Sequence, residues 1–356
     1  MKRNHNYFLD LAFNLAKINL GKTYSNPSVG CVVVKNNSVI SSGYTSVNGR
    51  PHAEFNSLNK KINFKGSYIY TTMEPCVHFG QTPPCTNIIK TKGVKKVYYA
   101  FSDLDKRTKN KSKKILKKNN IDTHKIKNIN NKDFYQSYAV NHNLSLPLVD
   151  AKIAISKDYF TINTKKKWIT NYLSRIRAHL IRSNYDSIIS TSETINNDNS
   201  LLNCRINGFN KNKPDLIIID RKLKINTSLD LFKLSKKRKI FIITSVLSGK
   251  KISLLRKKGV KFIKTTSLDT KKDFIKVFKE LKIKGFNRIL VETGLKFLNV
   301  LAKDKLIYNL YVFKSLNKLG KIGQNNISTN ILKKIKLNKK IKINLNGDQL
   351  YKVKIK

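Results

Sequence analysis

The sequence predicts an α/β chain of two domains, and three observations carry that expectation. Its 356 residues suffice for two separate cores at roughly 150 residues per domain. Short apolar runs alternate with stretches of helical periodicity, the pattern of a mainly parallel sheet covered by helices. That pattern restarts after Pro147, dividing the chain into 1–146 and 147–356.

The elements can be justified in order. Over residues 7–20, Phe8, Leu11, Ala12, Leu15 and Ile18 fall on one helical face, while Asp10, Asn14 and Lys17 interrupt the apolar run. That pattern reads as an amphipathic helix rather than a signal peptide. Residues 29–34 and 38–42 are strands joined at Asn36-Asn37, a hairpin signal. A helix begins near His52, a strand covers 67–72, a helix follows Pro84 and a strand covers 94–100. The basic, Asn-rich stretch 106–132 holds one helix and then turns irregular. In the second half, residues 151–155, 187–190, 216–220, 240–244, 260–264 and 288–291 are predicted strands. Helices over 171–183 and 271–282 lie among them.

Composition narrows the function. Hydrophobic residues make up 40% and aromatics 9%, which is globular material rather than a disordered tail. No uncharged apolar run reaches the roughly 18 residues a membrane span needs, so a cytoplasmic protein is expected. Lys and Arg total 72 against 21 Asp and Glu, a net charge of +51. Such an excess usually points to nucleic acid. Here the lysines are spread along the whole chain together with Asn and Ile, residues encoded largely by A and T. Genome composition is therefore sufficient cause, and no nucleic-acid partner is expected, although the charge should attract phosphorylated substrates. The four cysteines, Cys31, Cys76, Cys85 and Cys204, are too few for a disulfide framework. Cys31 and Cys204, in apolar or mixed segments with no ligand nearby, read as core thiols.

The informative residues are Pro51-His52-Ala53-Glu54, Glu74-Pro75-Cys76 and Pro83-Pro84-Cys85. One histidine and two cysteines suit zinc, leaving its fourth position for a water whose pKa falls towards about 7. Glu54 stands two residues past His52, too close to share a regular helical face with it. A helix pointing its first turn at the metal would let Glu54 reach the water without ligating zinc, as a proton carrier to a leaving amine. This is the zinc-deaminase signature with one departure. The usual C-x-x-C is replaced by two cysteines separated by Val77-His78-Phe79-Gly80-Gln81-Thr82-Pro83-Pro84, a wall able to supply His78 and Gln81 as polar contacts.

Together with Asn26-Pro27-Ser28-Val29-Gly30-Cys31, these motifs resemble the bifunctional riboflavin-biosynthesis deaminase/reductase family, whose mark is the long loop between the cysteines. The resemblance implies a cytidine-deaminase-like zinc domain followed by a dihydrofolate-reductase-like domain. The first would hydrolyse the exocyclic amine of a diaminopyrimidine carrying a ribosyl phosphate, with His52, Cys76 and Cys85 on zinc and Glu54 as proton shuttle. Asn26, His78 and Asp103 match pocket positions. After Asp103 the family's Pro-Asn-Pro and Gly-x-Gly turn are replaced by Leu104-Asp105-Lys106 and Asn110-Lys111-Ser112.

The second half is similar to the family's reductase, which uses NADPH to convert ribosyl to ribityl. The resemblance places Ala154, Trp168, Thr194, Asp198 and Gly294 on the nucleotide, and Arg182, Leu202, Arg205 and Glu292 on the substrate. The two arginines suit a sugar phosphate. Departures are a glycine replaced in Ser156-Lys157-Asp158-Tyr159, a proline replaced in Asp198-Asn199-Ser200, and a doubled glycine reduced to Thr293-Gly294. The family also implies a homodimer or larger assembly. Three alternatives stand beside this reading. One is a deaminase with a non-catalytic second half. Another is an RNA-base deaminase, which the charge favours and the Pro-rich loop disfavours. The third is a basic nucleic-acid-binding protein with structural zinc, disfavoured because structural sites usually have four protein ligands.

Overall fold

The computed structural model describes residues 4–128, 130–208, 214–235, 237–327 and 335–356. The chain forms two compact units, Met1–Ser145 and Leu146–Lys356. Among the described residues no helix is long and apolar enough to cross a membrane.

The first unit runs α1 (His5–Ala16), β1 (Gly30–Lys35), β2 (Ser38–Tyr44), α2 (Ala53–Leu58), β3 (Tyr68–Met73), α3 (Cys85–Thr91), β4 (Lys96–Phe101), α4 (Ser112–Lys117), β5 (Asp122–Lys125) and α5 (Gln136–Leu144). Its sheet has the order β2-β1-β3-β4-β5. β1 is antiparallel to β2 and β3, while β3, β4 and β5 are parallel. The hairpin turn is the expected one: Asn36 and Asn37 take φ of 49° and 62°, as a two-residue turn between twisted strands requires. This arrangement sends the start of β1 and the ends of β2, β3 and β4 to the same edge of the sheet. Two glycines let helices lie close on it. A Cβ on Gly30 would fall 1.9 Å from the Ala12 carbonyl oxygen on α1, and one on Gly43 would fall 2.6 Å from the Ala53 oxygen on α2.

Two expectations need correction here. α1 buries Phe8, Leu9, Ala12, Phe13 and Ala16, while Leu11 and Leu15 are half-buried and Ile18 is exposed. The helix ends at Ala16 and tightens over Lys17–Asn19, so the regular period no longer carries Ile18 to the core. Beyond α4, the stretch described as irregular contains strand β5. Only Thr123 of its residues is buried, and a charged edge strand of this kind lacks the apolar alternation that reveals strands.

The second unit runs β6 (Leu148–Ile155), β7 (Phe160–Asn163), α6 (Tyr172–Arg182), β8 (Ser187–Thr191), α7 (Ser192–Asp198), β9 (Asp215–Ile219), β10 (Ile240–Thr244), α8 (Lys250–Lys257), β11 (Val260–Lys264), α9 (Lys271–Ile283), β12 (Arg288–Val291), α10 (Leu295–Lys303), β13 (Asn309–Lys314), β14 (Gly323–Asn326) and β15 (Gln349–Lys354). Eight strands form one sheet in the order β11-β10-β9-β8-β12-β6-β13-β15, parallel except for β13 with β15. β7 and β14 form a separate ribbon.

Strand alternation explains why apolar runs fill both faces. Val149, Ala151, Ile153 and Ile155 of β6, with Ile289 and Val291 of β12, pack with Phe274, Val277 and Phe278 of α9 and Leu298 and Leu301 of α10. The alternate residues Ile188, Leu216, Ile218, Ile240, Ile242 and Leu290 pack with Ala178 and Ile181 of α6 and Ile252 and Leu255 of α8. α6 is held at its start by Asn171, whose side chain accepts the Ser174 N–H, and α9 by a capping box of Thr270 and Asp273.

Candidate functional sites

At the shared edge of the first sheet, the three motifs converge. His52 occupies the N-cap of α2, Cys76 follows β3 and Cys85 opens α3. His52 Nδ1 lies 3.6 Å from Cys76 Sγ and 3.4 Å from Cys85 Sγ. The three ligand atoms fall within 4.8 Å of one another, and both thiols are free. One imidazole and two thiols converging on one point are a donor set suited to zinc. The Cys85 backbone N–H donates to Cys76 Sγ at 3.2 Å, supporting a thiolate at the start of a helix. Hydrogen bonds from Cys85 and His52 outweigh burial and pull the Cys76 thiol down to about 4. The Cys85 thiol is pushed up by its contact with Cys76 and by burial. The hydrogen bond to Cys76 raises the His52 imidazole despite burial.

Glu54 lies in the first turn of α2, 4% exposed, with Oε2 at 3.5 Å from Cys85 Sγ. Burial, followed by the negative charge on Cys76, raises its carboxyl to about 7. A carboxyl that loses and regains a proton near neutrality is suited to general acid–base work.

The surrounding cavity is lined by the predicted Asn26, His78 and Asp103. His78 Nδ1 is 3.0 Å from Thr108 Oγ1 and stands outside the metal set. Asp103 accepts from Tyr138 Oη at 2.9 Å, and burial raises its pKa. Asn26 donates to the Gly49 carbonyl at 3.4 Å. Gln81, which the loop could supply as a polar contact, accepts from Arg50 Nε at 3.0 Å. Arg50 is a lining residue that the motif reading missed. It also donates to Thr82 Oγ1 and approaches His52 Nε2, each at 3.1 Å. The other lining arginine, Arg107, is held on Asp105, 2.5 Å away. Among the described residues, Arg50 has no carboxylate within ion-pair distance. Glu74 organises the loop after β4: its carboxylate accepts the N–H groups of Asp103, Asn110 and Ser112 and the Ser112 hydroxyl.

In the second unit, parallel β6, β8 and β12 are neighbours, so their carboxyl ends meet at one crevice, the usual ligand position in open α/β sheets. Continuing the alternation past Leu290 puts Glu292 on the α6 side. There Arg182 grips it with both ends of the guanidinium, Nε to Oε1 at 2.5 Å and Nη2 to Oε2 at 2.8 Å. Lys152 of β6 lies on the same face, 3.7 Å from Glu292. Burial opposes ionisation of Glu292, but Arg182 and Lys152 outweigh it and hold the carboxyl down to about 2. Burial also lowers Lys152, with Glu292 opposing. Lys152 was missed, although a lysine inside an otherwise apolar strand was the signal. Arg182 is therefore engaged by Glu292, while Arg205 is exposed and rests on Asn203 Oδ1 at 2.9 Å.

Thr194, in the first turn of α7, and Gly294, at the N-cap of α10, are brought together, the glycine N–H donating to Thr194 Oγ1 at 3.1 Å. Ala154 lies on β6 two residues past Lys152, Asp198 ends α7, and Trp168 is 52% exposed beside Arg175. No direct bond joins these three to the Thr194–Gly294 pair. Leu202 is buried with φ of 44°. Cys31 and Cys204 are both fully buried, as expected of core thiols.

Residues 2–101 match the family model of the cytidine and deoxycytidylate deaminase zinc-binding region, and residues 147–340 match that of the RibD C-terminal domain. The chain is 32% identical over 339 residues to the riboflavin biosynthesis protein RibD of Buchnera aphidicola, covering 88% of this chain and 87% of the relative. It is 30% identical over 356 residues to RibD of Aquifex aeolicus, covering 96% of each. The fold matches a diaminohydroxyphosphoribosylaminopyrimidine deaminase/5-amino-6-(5-phosphoribosylamino)uracil reductase from Thermotoga maritima, with TM-score 0.82, 23% identity and 99% of each chain covered. It also matches Acinetobacter baumannii RibD, with TM-score 0.81, 24% identity and 99% of each chain covered.

Proposed function

The chain belongs to the RibD family of bifunctional riboflavin-biosynthesis deaminase/reductases, and on that premise we propose which of its residues perform each step. Deamination is assigned to residues 1–146 and reduction to 147–356. The observation that carries the first assignment is a buried carboxyl, Glu54, beside three converging zinc donors in one cavity.

His52, Cys76 and Cys85 would hold zinc, which supplies Lewis acidity that makes water nucleophilic near neutral pH. Glu54 takes a proton from the attacking water and returns it to the departing amine, so that the C–N bond breaks with ammonia as the leaving group. Asn26, His78 and Asp103 orient the pyrimidine. Arg50, which has no carboxylate within ion-pair distance among the described residues, meets the substrate phosphate.

In the second half, Ala154, Trp168, Thr194, Asp198 and Gly294 would hold NADPH, whose hydride would reduce the anomeric carbon of the ribosyl group as the ring C–O bond opens and its oxygen takes a proton from solvent. The Thr194–Gly294 contact at adjacent helix starts supports that reading, because helix N-termini favour phosphate. Leu202, Arg205 and the Arg182–Glu292 pair face the substrate. Since Glu292 occupies Arg182, phosphate recognition falls to Arg205, and Arg182 keeps Glu292 charged and oriented. The family likeness extends the reading to a cytoplasmic homodimer or larger assembly, which light scattering would test.

Mass spectrometry of products from the diaminopyrimidine ribosyl phosphate, with and without NADPH, tests the assignment as a whole. Deamination alone without NADPH, and deamination with a gain of two hydrogens when it is present, is the expected result. A product that is never reduced would leave the second half without its proposed chemistry.

A further inference from the structure

We propose that Arg238 is a positioning residue for the reductase, clamping the strained backbone that presents Leu202 and Arg205 to the substrate. The inference rests on the reading above that these two residues contact substrate.

Arg238 precedes β10 and is 5% exposed. Among the described residues no carboxylate lies within ion-pair distance of it. Its guanidinium donates instead to main-chain carbonyls: Nη1 to Leu202 at 2.7 Å and Pro214 at 3.3 Å, and Nη2 to Leu201. Among the described residues its Nε has no hydrogen-bond partner. Burial lowers its pKa to about 10, with Asp215 opposing, so the side chain remains a cation at neutral pH. A buried charge without a carboxylate and with one N–H unmatched is an expensive arrangement. A side chain kept in that state needs a local reason.

The reason lies in the loop it grips. Leu202 adopts φ of 44°, a left-handed conformation that its Cβ disfavours. Three successive carbonyls there accept from side-chain donors, of which Arg238 is buried and His179 and Arg182 half-buried. Leu201 and Leu202 take theirs from Arg238, and Asn203 takes His179 Nδ1 at 2.9 Å and Arg182 Nη1 at 3.1 Å. The Asn203 side chain then receives Arg205 Nη1 at 2.9 Å. A continuous path of hydrogen bonds and backbone thus runs from Arg238 through Leu202 and Asn203 to the exposed guanidinium of Arg205. The clamp fixes where that guanidinium is aimed.

The test uses the full-length, zinc-loaded enzyme, supplied with the deaminated ribosyl intermediate and NADPH. Arg238→Lys retains the charge but cannot span the carbonyls that the guanidinium reaches, and Arg238→Met removes the donors. Arg238→Lys should raise the reductase KM about tenfold, the scale of a charge-assisted hydrogen bond. Its reductase kcat should stay within about twofold, and ammonia release should be unchanged. Should Arg238→Met fail to fold, Arg238→Lys carries the test alone. Leu202→Gly provides a second readout, because glycine adopts the left-handed conformation freely. The penalty of Arg238→Lys should shrink in the Leu202→Gly background. Strictly additive effects, or an unchanged KM in Arg238→Lys, would overturn the clamp. Arg205→Ala separates the two ideas. If it raises KM while Arg238→Lys does not, the clamp is wrong and the site reading survives. If neither variant moves KM, the site reading falls and the clamp with it.

Discussion

The two units solve the placement of chemistry differently. In the first, three short motifs bring four functional side chains to one sheet edge, and each residue type is dictated by what zinc and proton transfer demand. In the second, the candidate residues are scattered from Ala154 to Gly294, and the neighbouring strands β6, β8 and β12 bring Thr194 to Gly294 and bring Arg182 and Lys152 to Glu292. Metal chemistry fixes residue identity, whereas nucleotide binding draws heavily on backbone groups that many side chains can accompany. A site of the first kind is sensitive to single atoms, and one of the second kind to backbone geometry and buried charge.

Glu54→Gln gives the sharpest form of that contrast. The variant should keep zinc, measured as metal content, yet lose deamination by about a thousandfold, while reduction of supplied deaminated intermediate continues. Near-normal ammonia release would remove Glu54 from the proton-transfer role. Cys85→Ser should lose zinc as well as activity, and full metal occupancy would refute its place as a ligand.

The corresponding change in the second unit acts first on stability. Arg182→Met leaves Glu292 buried with Lys152 alone, and breaking a buried pair from one side costs about 3–5 kcal/mol. Thermal unfolding should show the loss. Adding Glu292→Gln should recover part of it by removing the stranded charge. The acid limit should move too. Glu292 titrates near 2 in the folded protein, below its unfolded value of about 4.3. Its contribution is therefore complete above the unfolded value and disappears as pH falls through the folded one. Without Arg182 the folded carboxyl should titrate higher, and acid unfolding of the variant should begin at higher pH. An unchanged acid midpoint would mean that the pair is not what holds Glu292 ionised.

The proposed phosphate contacts offer a finer comparison, one arginine in each unit. Arg50→Gln should raise KM for deamination about tenfold and leave reduction unchanged, and Arg205→Ala should do the reverse. Cross-effects, in which either substitution alters the other step's KM, would argue against separate phosphate sites.

How much of this was legible in the sequence follows the same division. The convergence of His52, Cys76 and Cys85 beside Glu54 could be read directly because the identities and spacing of such donors are chemically constrained. The parallel sheet was legible where apolar runs were strong, and strands 240–244, 260–264 and 288–291 coincide with β10, β11 and β12. Arg50 was hidden because an arginine beside a motif carries no signal until the fold turns it inward. Lys152 was hidden because the alternation in β6 had to be combined with the β6–β12 pairing before it met Glu292. Lost glycines were visible as departures, but their structural replacements were not. Asn110 takes φ of 61°, a conformation asparagine tolerates better than most residues. At Tyr159 the replacement is less accommodating.

Tyr159 has φ of 72° at the turn between β6 and β7, where the family has glycine. Its ring carries Lys314 at 4.3 Å from the centroid, and its hydroxyl lies 3.2 Å from that ammonium, so side-chain contacts offset part of the backbone strain. Two substitutions separate these contributions. Tyr159→Ala removes the ring but keeps a Cβ in the left-handed region, and Tyr159→Gly removes both. Alanine should be the less stable of the two by about 1 kcal/mol, read as a difference in denaturant midpoint at equal slope. Glycine should lie close to the native protein, because relief of strain, loss of the ring and the greater freedom of the unfolded chain nearly cancel. If alanine matched or exceeded glycine, the left-handed backbone would carry no cost at this turn. If glycine were much the weaker, the Lys314 contact would be the dominant stabiliser, and the tyrosine would be a gain rather than a tolerated loss.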